Sequence, residues 1–311
     1  MTVAVTGSMA FDTLLKFSGS FTDYILPDRL EHLSVSFLVD SMRRERGGVA
    51  GNICYSMALL GERPMLLASV GQDAADYIAA LEAMGVDTSG VLVVPDEFTA
   101  SFVVSTDRGN RQIANFYIGA MGRSAEISFH HFRDRDIRLA VISPNAPDAM
   151  VKYVAECKAL GIPYVFDPSQ QIPLLSVEDL RNGIEGAHVL IVNDYEFEVI
   201  KDRTGLSDAD IRRMADVVVI TRGEDGSTIY AGEETIHIPP VPLRRLADPT
   251  GAGDAYRAGL LTGRRNGLSW LEAGRLGALT AAYALEEHGT QQHRYTVREF
   301  ADRYFACFER T

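Results

Sequence analysis

Cysteine, histidine patterning, basic charge and long apolar runs are all scarce in this sequence, and each scarcity excludes something. Cys54, Cys157 and Cys307 lie far apart in 311 residues, form no C-x-x-C pair and are odd in number. That excludes a disulfide framework and points to a reducing cytosol, so a cytoplasmic location is expected. The seven histidines show no zinc-ligand spacing. His130 and His131 are adjacent, cannot share one face of a strand or helix, and are expected at the surface. No stretch approaches the roughly 18 apolar residues of a membrane span. Met1 to Ser8 lacks a basic region followed by a long apolar run, so no signal peptide is expected. Lys and Arg total 30 against 42 Asp and Glu, a net charge of −12 with a pI of about 5.1. Nucleic-acid binders carry a basic face, so no nucleic-acid partner is expected. The G-x-x-x-x-G-K-[ST] phosphate loop and the protein-kinase signature set are both missing. No internal repeat, low-complexity tract or interdomain linker is visible.

What is present is a sequence able to build a large core, with 46% hydrophobic residues. Its length exceeds the usual single domain, but α/β folds reach it as one unit. Val3–Thr6, Met65–Val70, Leu139–Ser143, Tyr164–Asp167, Val189–Asn193 and Val217–Thr221 read as buried strands. Helical patterns over Gly51–Leu60, Ala74–Met84, Asp148–Leu160 and Asp208–Met214 alternate with them, and Ala255–Arg264, Trp270–Glu287 and Val297–Phe308 close the chain. In Trp270–Glu287, residues Leu271, Gly274, Ala278, Ala281 and Leu285 recur at helical spacing and predict the core face. Alternation of this kind predicts an α/β fold with a mostly parallel sheet, helices on both faces, and ligands at the carboxyl ends of the strands. Two regions break the rhythm. Leu14–Arg46 has no clear helix or strand pattern. Ser101–Ser105 and Gln112–Tyr117 flank the turn Asp107-Arg108-Gly109-Asn110 and read as a hairpin, a small sheet able to act as a lid.

The most informative stretch is Asp248-Pro249-Thr250-Gly251-Ala252-Gly253-Asp254-Ala255. A helix start leaves about four unpartnered N–H groups, which with the helix dipole seat an anion. Glycines at 251 and 253 let a ligand approach the backbone. An acidic residue at that seat makes sense if Asp254 accepts a proton beside a phosphoryl group; the alternative is a helix cap. Its position at a helix start predicts a low pKa. Arg46-Gly47-Gly48-Val49-Ala50-Gly51-Asn52 is a second glycine cluster, either a plain turn or a seat for sugar hydroxyls with Asn52 as donor and acceptor. Asp12, after Gly7 and Ser8, is expected at the carboxyl end of the first strand, where it is either structural or an acceptor for two vicinal hydroxyls. Asn193-Asp194-Tyr195-Glu196 lies where a strand yields to a helix: either a hydrated Mg²⁺ site, or a cap at Asp194 with Glu196 as a first-turn acid. Thr221 to Gly226 follows another strand and could border a nucleotide.

The Gly47–Asn52 and Asp248–Leu261 regions resemble the two signature regions of the ribokinase-like (PfkB) kinases, and Asn193 to Glu196 resembles that family's N-x-x-E motif. Leu33–Asp40, Asp167-Pro168-Ser169-Gln170-Gln171 and Gly289-Thr290-Gln291 extend the likeness over essentially the whole chain, toward bacterial adenosine kinases of that type. The resemblance implies a ribokinase-like three-layer sandwich with a small β-sheet lid, a single kinase domain over 1–311 with lid segments at about 14–46 and 99–117, and a homodimer joined through lid strands. It implies ATP-dependent phosphorylation of the adenosine 5′-hydroxyl, giving AMP and ADP in purine salvage. Asp254 would be the base, with Gly251, Ala252 and Gly253 forming the anion hole. Ser8, Asp12, Gly48 and Asn52 would hold the ribose, and Ser36, Phe102 and Phe116 would border the purine. Gln170 or Gln171 would face either the base or the lid. Asn193, Thr221, Gly223, Gly226 and Gly253 would contact ATP, and Glu196 would hold Mg²⁺ through water. Asp248, Thr250 and Gly289 would sit near a monovalent cation such as K⁺. Val49 stands where sugar-selective members carry Lys, which favours a nucleoside. A related kinase of ribose, another sugar or another purine nucleoside is the near alternative; a non-catalytic nucleoside-binding protein is the distant one.

Overall fold

The computed structural model describes residues 2–26, 31 and 34–308. Leu33, which opens the Leu33–Asp40 match, lies outside the described residues, as do positions 27–30 and 32 of the expected lid segment and positions 1 and 309–311. In chain order, the elements begin with β1 (Thr2–Thr6), β2 (Ala10–Lys16), β3 (Ser41–Gly47), α1 (Val49–Leu59), β4 (Met65–Leu67), β5 (Ser69–Gly71), α2 (Ala75–Ala83) and β6 (Leu92–Val94). There follow β7 (Ala100–Thr106), β8 (Gln112–Tyr117), β9 (Ile137–Ile142), α3 (Pro147–Leu160), β10 (Tyr164–Phe166), α4 (Val177–Ile184) and β11 (Val189–Asn193). The chain ends with α5 (Asp194–Thr204), α6 (Asp208–Met214), β12 (Val217–Thr221), β13 (Ser227–Ala231), β14 (Glu234–Ile238), α7 (Ala252–Arg265), α8 (Trp270–Leu285) and α9 (Val297–Phe308).

Eight strands form the main sheet in the order β14-β13-β12-β11-β10-β9-β1-β4. The six from β12 to β4 run parallel, and β13 and β14 add an antiparallel tail. Parallel strands covered on both faces read as unbroken apolar runs, which is why Val-Val-Val-Ile-Thr and Val-Leu-Ile-Val-Asn are strands. Their alternate residues feed two cores. Val189, Ile191, Val217 and Val219 face α1, α7 and α8, while Leu190, Val192, Val218 and Ile220 face the layer of α3 to α6. These are the three expected layers. Helix starts follow their capping residues: Ser176, Asn193, Ser207 and Ser269 each form a reciprocal capping box with the acid three residues on.

The lid is a four-stranded sheet, β3-β2-β7-β8. Its β7–β8 arm is the expected hairpin, with Phe102 directly opposite Phe116, so both rings share a face. The rhythmless stretch before Arg46 supplies the rest, since β2 and β3 pair antiparallel across it. Three expectations need correction. Asp12 does not end β1; it lies inside lid strand β2, opposite Glu45 and Phe102. Met65–Val70 is not one strand. It breaks at Ala68 into β4, which pairs with β1, and β5, which pairs with β6. The whole run is buried, so the apolar pattern carries no mark of the break. The expected core stripe of α8 holds only in part. Gly274 and Ala278 are buried and Ala281 and Leu285 half-buried, but Leu271 is exposed, and Ala273, Gly277, Leu279 and Ala282 are buried as well, because α7, the sheet and α9 enclose this helix on several sides.

One carboxylate ties the lid together. Asp107 accepts from the N–H groups of Phe21 (3.0 Å), Gly109 (2.8 Å) and Arg111 (3.0 Å), and from Arg111 Nε (2.9 Å). Desolvation pushes its pKa up, but these donors outweigh it and leave the carboxyl below its ordinary value. A depressed folded pKa means that the tie is present above the unfolded carboxylate pKa and is lost as pH falls through the folded value. Asp107→Ala is expected to abolish slow hydrogen exchange in residues 17–24 and 101–117 while leaving the main sheet protected. Unchanged protection in the hairpin would show that this carboxylate does not hold the lid.

Candidate active site

The main sheet reverses its direction of growth at β1, which lies between β9 and β4. Such a switch point opens a crevice at the carboxyl ends of the strands. Here Ser8, just beyond β1, donates its N–H to Pro144 O beyond β9 at 2.9 Å. A cavity of about 450 Å³ opens there under the lid, and both residues line it.

Two glycine-led helix starts face each other across this cavity. Gly48 precedes α1 with φ +87°, and a Cβ there would come within 2.6 Å of Ala10 N and Ser8 O. Gly251 precedes α7 with φ +79°. The first regular bond of α7 runs from Ala255 N–H to Gly251 O at 3.0 Å, so the Gly253 and Asp254 amides lie ahead of the helical ladder. Asn52 joins the two starts by donating from Nδ2 to Asp254 Oδ2 at 2.8 Å. Behind it, Gln291 Nε2 donates to Asn52 Oδ1 at 2.9 Å and bonds the Tyr77 hydroxyl, which itself donates to Gly47 O at 2.9 Å.

Asp254 is 9% exposed and forms part of the cavity wall. The expectation of a low pKa is overturned. Burial raises it, and Arg257 and the Asn52 hydrogen bond only partly offset that, leaving the carboxyl above its ordinary value. The cause is coverage: the lid and α1 remove the solvent that a free helix start would have. Asp12 is pushed up to about 6 by burial and by the charges of Glu45, Asp248 and Asp254. Both carboxylates line the same cavity.

The cavity gathers Ser8, Asp12, Gly48, Asn52, Phe102, Phe116, Gln170, Gln171, Thr250, Gly251, Gly253 and Asp254. Ser8 Oγ accepts from Val49 N–H at 3.0 Å, leaving its own hydrogen to give. Gln171 is buried, and its Oε1 has no partner among the described residues. Ser169 adopts the left-handed φ of +40°, uncommon for a non-glycine residue, at the turn that presents both glutamines. Ser36 is exposed and does not line the cavity.

The expected nucleotide residues lie elsewhere. Asn193 and Thr221 are register partners at the carboxyl ends of β11 and β12, and none of Asn193, Glu196, Thr221, Gly223 and Gly226 lines the cavity. Asn193, rather than Asp194, caps α5, accepting from Glu196 N–H at 2.7 Å. Glu196 Oε2 returns the bond from Asn193 N–H at 2.8 Å. Glu196 Oε1 stands outside that box, and Glu196 acts electrostatically on Asp167 and Arg257. No cluster of three His, Cys, Asp or Glu side chains suited to a metal occurs among the described residues. One carboxylate acting through water, with phosphate supplying the other ligands, is the arrangement that suits Mg²⁺. Asp248 accepts from Thr250 N–H at 2.9 Å and Gly289 N–H at 3.1 Å, so amides already clasp both of its oxygens. Each oxygen keeps a second lone pair, so these bonds do not fill the carboxylate.

Sequence reasoning missed Arg257, Asp167, Gln291 and Tyr77. Arg257 was legible in principle, since it lies one turn beyond Asp254 on α7. Gln291 and Asp167 lie in segments that carry the family likeness but had no role assigned, and Tyr77 comes from a distant segment with no local signal.

Comparison with known proteins gives this geometry a family. The family described as pfkB family carbohydrate kinase matches residues 14–296. A nucleoside kinase of Methanocaldococcus jannaschii is 31% identical over 90% of this chain and 93% of its own length. The structure of a Burkholderia thailandensis nucleoside kinase in complex with inosine superposes with a TM-score of 0.87 at 38% identity, covering 99% of this chain and 98% of that one. A Thermotoga maritima ribokinase, 20% identical with a TM-score of 0.80 over 98% of this chain and 99% of that one, shares the fold. The expected likeness to bacterial adenosine kinases is too narrow, because an archaeal relative matches nearly the whole chain and is a nucleoside kinase. With the match extending over both signature regions and the ribokinase-like α/β architecture present, the chain belongs to the pfkB carbohydrate kinase family.

Proposed function

We propose that this protein transfers the γ-phosphoryl group of ATP to the 5′-hydroxyl of a purine nucleoside, working as one kinase unit over 1–311, with adenosine as the substrate. The observation that carries this reading is the composition of one cavity from end to end. Gly251, Gly253 and Asp254 line it together with the polar groups of Ser8, Asp12 and Asn52, and with the lid rings Phe102 and Phe116 and the Gln171 amide. A sugar needs the first two sets but no aromatic wall. Base–aromatic stacking contributes about 1–3 kcal/mol per base in single-strand binders. The Gln171 amide can accept from the N6 amino group of adenine or, as well, from the N1–H of hypoxanthine. Inosine is therefore the second reading, supported by the inosine complex of the Burkholderia relative.

In this mechanism Asp12 and Ser8 hold ribose hydroxyls, and Asn52 fixes the Asp254 carboxylate. The nucleoside 5′-oxygen forms a bond to phosphorus while the bond to the ADP oxygen breaks. ADP leaves with that electron pair, and the 5′-hydroxyl proton passes to Asp254. The Gly251, Ala252 and Gly253 backbone meets the charge on the moving group; one lost donor of this kind costs about 3–4 kcal/mol in other enzymes. Mg²⁺, held by phosphate and through water by Glu196, would neutralise the triphosphate when bound. Thr221, Gly223 and Asn193 would border the nucleotide. Gly226 has a steric reason of its own, because a Cβ there would collide with Ile238 O. Asp248, Thr250 and Gly289 would sit near a monovalent cation such as K⁺. The lid ends in two edge strands, β3 and β8, and β8 is exposed along its length. That supports the expected homodimer through lid strands.

Asp254→Asn is expected to bind nucleoside almost normally and to lose about 10²–10⁴-fold in kcat, the usual range for general-base help; wild-type turnover would remove the base assignment. Phe102→Ala is expected to weaken nucleoside binding by calorimetry with little effect on ATP binding, and an unchanged nucleoside Kd would argue against stacking. Because the pKa of Asp12 is raised to about 6, its acceptor form is present above that pH and lost below it. Nucleoside affinity should therefore fall between pH 7 and 5 in the wild type and stay flat in Asp12→Asn. Equal pH dependence in both proteins would exclude Asp12 as the hydroxyl acceptor. A coupled assay over adenosine, inosine, guanosine, ribose and fructose 6-phosphate tests the class as a whole: purine nucleosides should exceed the sugars in kcat/KM. A preference for ribose or fructose 6-phosphate would point to the sugar-kinase alternative, and tight nucleoside binding with no ATP turnover to the non-catalytic one.

A further inference from the structure

Arg257 lies one turn after Asp254 on α7 and is 11% exposed. Its NH2 donates to Asp167 Oδ1 at 2.5 Å, while NH1 stands 3.7 Å from Asp254 Oδ1. A Cβ built on Gly253 would come within 2.7 Å of that same NH1, so the guanidinium lies against the glycine of the anion seat. Asp167 has no exposed side-chain surface. It sits in the turn after β10, opposite the start of α7. Its Oδ2 and Arg257 Nε are buried without partners among the described residues.

A buried ion pair is weak evidence of a stabilising role, since well-packed apolar residues often do as well. This one is also poorly satisfied for a purely structural device. Two carboxylates share one guanidinium, and the surrounding charge is acidic. Glu196 from α5 acts on Asp167 and Arg257. Asp12 and Glu45 from the lid strands, with Asp248 ahead of α7, form the acidic group that includes Asp254 on the lid side. Arg257 is the cation that acts on Asp254, and the amide of Asn52 is its other support. Carboxylates crowded in a dry site do not all ionise near neutral pH unless a cation is fixed among them.

We infer that Arg257 is a positioning residue for the reaction: anchored from behind by Asp167, its guanidinium keeps the Asp254 carboxylate anionic and fixed in place beside Gly253. The inference rests on Asp254 being the base. Asp167 supplies the anchor that a lone arginine would lack. The planar fork spans both carboxylates, which the point charge of a lysine cannot do with the same geometry.

The test is a pH series of kcat and KM on Arg257→Gln, Arg257→Lys, Asp167→Asn, Asp254→Asn and the double variant Arg257→Gln/Asp167→Asn, each checked for folding by circular dichroism. In Arg257→Gln, kcat should fall about 10²-fold, within the range of general-base effects. The acid limb of its kcat profile should move to higher pH, with nucleoside KM nearly unchanged. Arg257→Lys should restore the position of the limb more fully than kcat. Asp167→Asn should move the limb to lower pH, because the guanidinium then serves Asp254 alone. The double variant buries neither charge; should Arg257→Gln alone fail to fold, the double variant must show the upward limb shift. A wild-type acid limb and kcat in a folded Arg257→Gln or double variant overturns the inference. If Asp254→Asn is inactive while the Arg257 variants keep the wild-type limb, only the role of Arg257 fails. If Asp254→Asn turns over normally, the base assignment fails.

Discussion

The hydrogen bond from Asn52 to Asp254 closes a gap of 202 residues in sequence at 2.8 Å, and the arrangement of the site depends on it. It ties the start of α1 to the start of α7, so two sets of helix-start amides face one cavity. Each start can come that close only because a glycine precedes it. At Gly48 a side chain would collide with the backbone of Ser8 and Ala10, and at Gly251 with Thr290. The bond is backed by Gln291 and Tyr77, which return the chain of contacts to Gly47. Asn52 thus spends its amide on holding a carboxylate, whatever else it touches.

The second constraint is charge. A protein of net charge −12 that handles an anionic nucleotide has to build positive potential locally. In the function proposed here, peptide amides ahead of the α7 ladder and one buried guanidinium would provide it, and neither registers as a basic patch on the surface. The cost of this economy is visible in the acids. With Asp12, Asp167 and Asp254 sharing a dry region, burial drives all three upward, to about 6 for Asp12 and about 7 for Asp167. The lid contributes directly to this electrostatics, because Asp12 and Glu45 sit on its strands. Its attachment through Asp107 therefore bears on the chemistry as well as on access.

Much of this architecture was legible in the sequence where local chemistry decides it. Val189–Asn193 and Val217–Thr221 are strands with the expected bounds because β-branched runs buried on both faces leave no alternative. The hairpin that sets Phe102 opposite Phe116 follows from the Asp107–Asn110 turn. The glycine-led start of α7 at Gly251 follows from small residues running into a helical pattern. What escaped depends on long-range assembly. Asp12 moved from the main sheet to the lid because β2 pairs with β7 of the hairpin and with β3, and β3 does not announce itself locally. Met65–Val70 broke in two because both halves are buried, and only their pairing partners differ. The raised pKa of Asp254 arises from coverage by the lid and α1, which a reading of the helix start alone ignores. Arg257 was visible at helical spacing, but its meaning required Asp167, 90 residues away.

The central claim is that one cavity brings a nucleoside 5′-oxygen to a phosphoryl group beside Asp254. It is tested most directly by supplying ATP labelled with ¹⁸O in its γ-phosphoryl group together with adenosine or inosine, and analysing the products by mass spectrometry. The account predicts a nucleoside 5′-monophosphate carrying the labelled phosphoryl group and an equal amount of ADP. Label found only in inorganic phosphate, or no labelled nucleotide from either nucleoside, would contradict it.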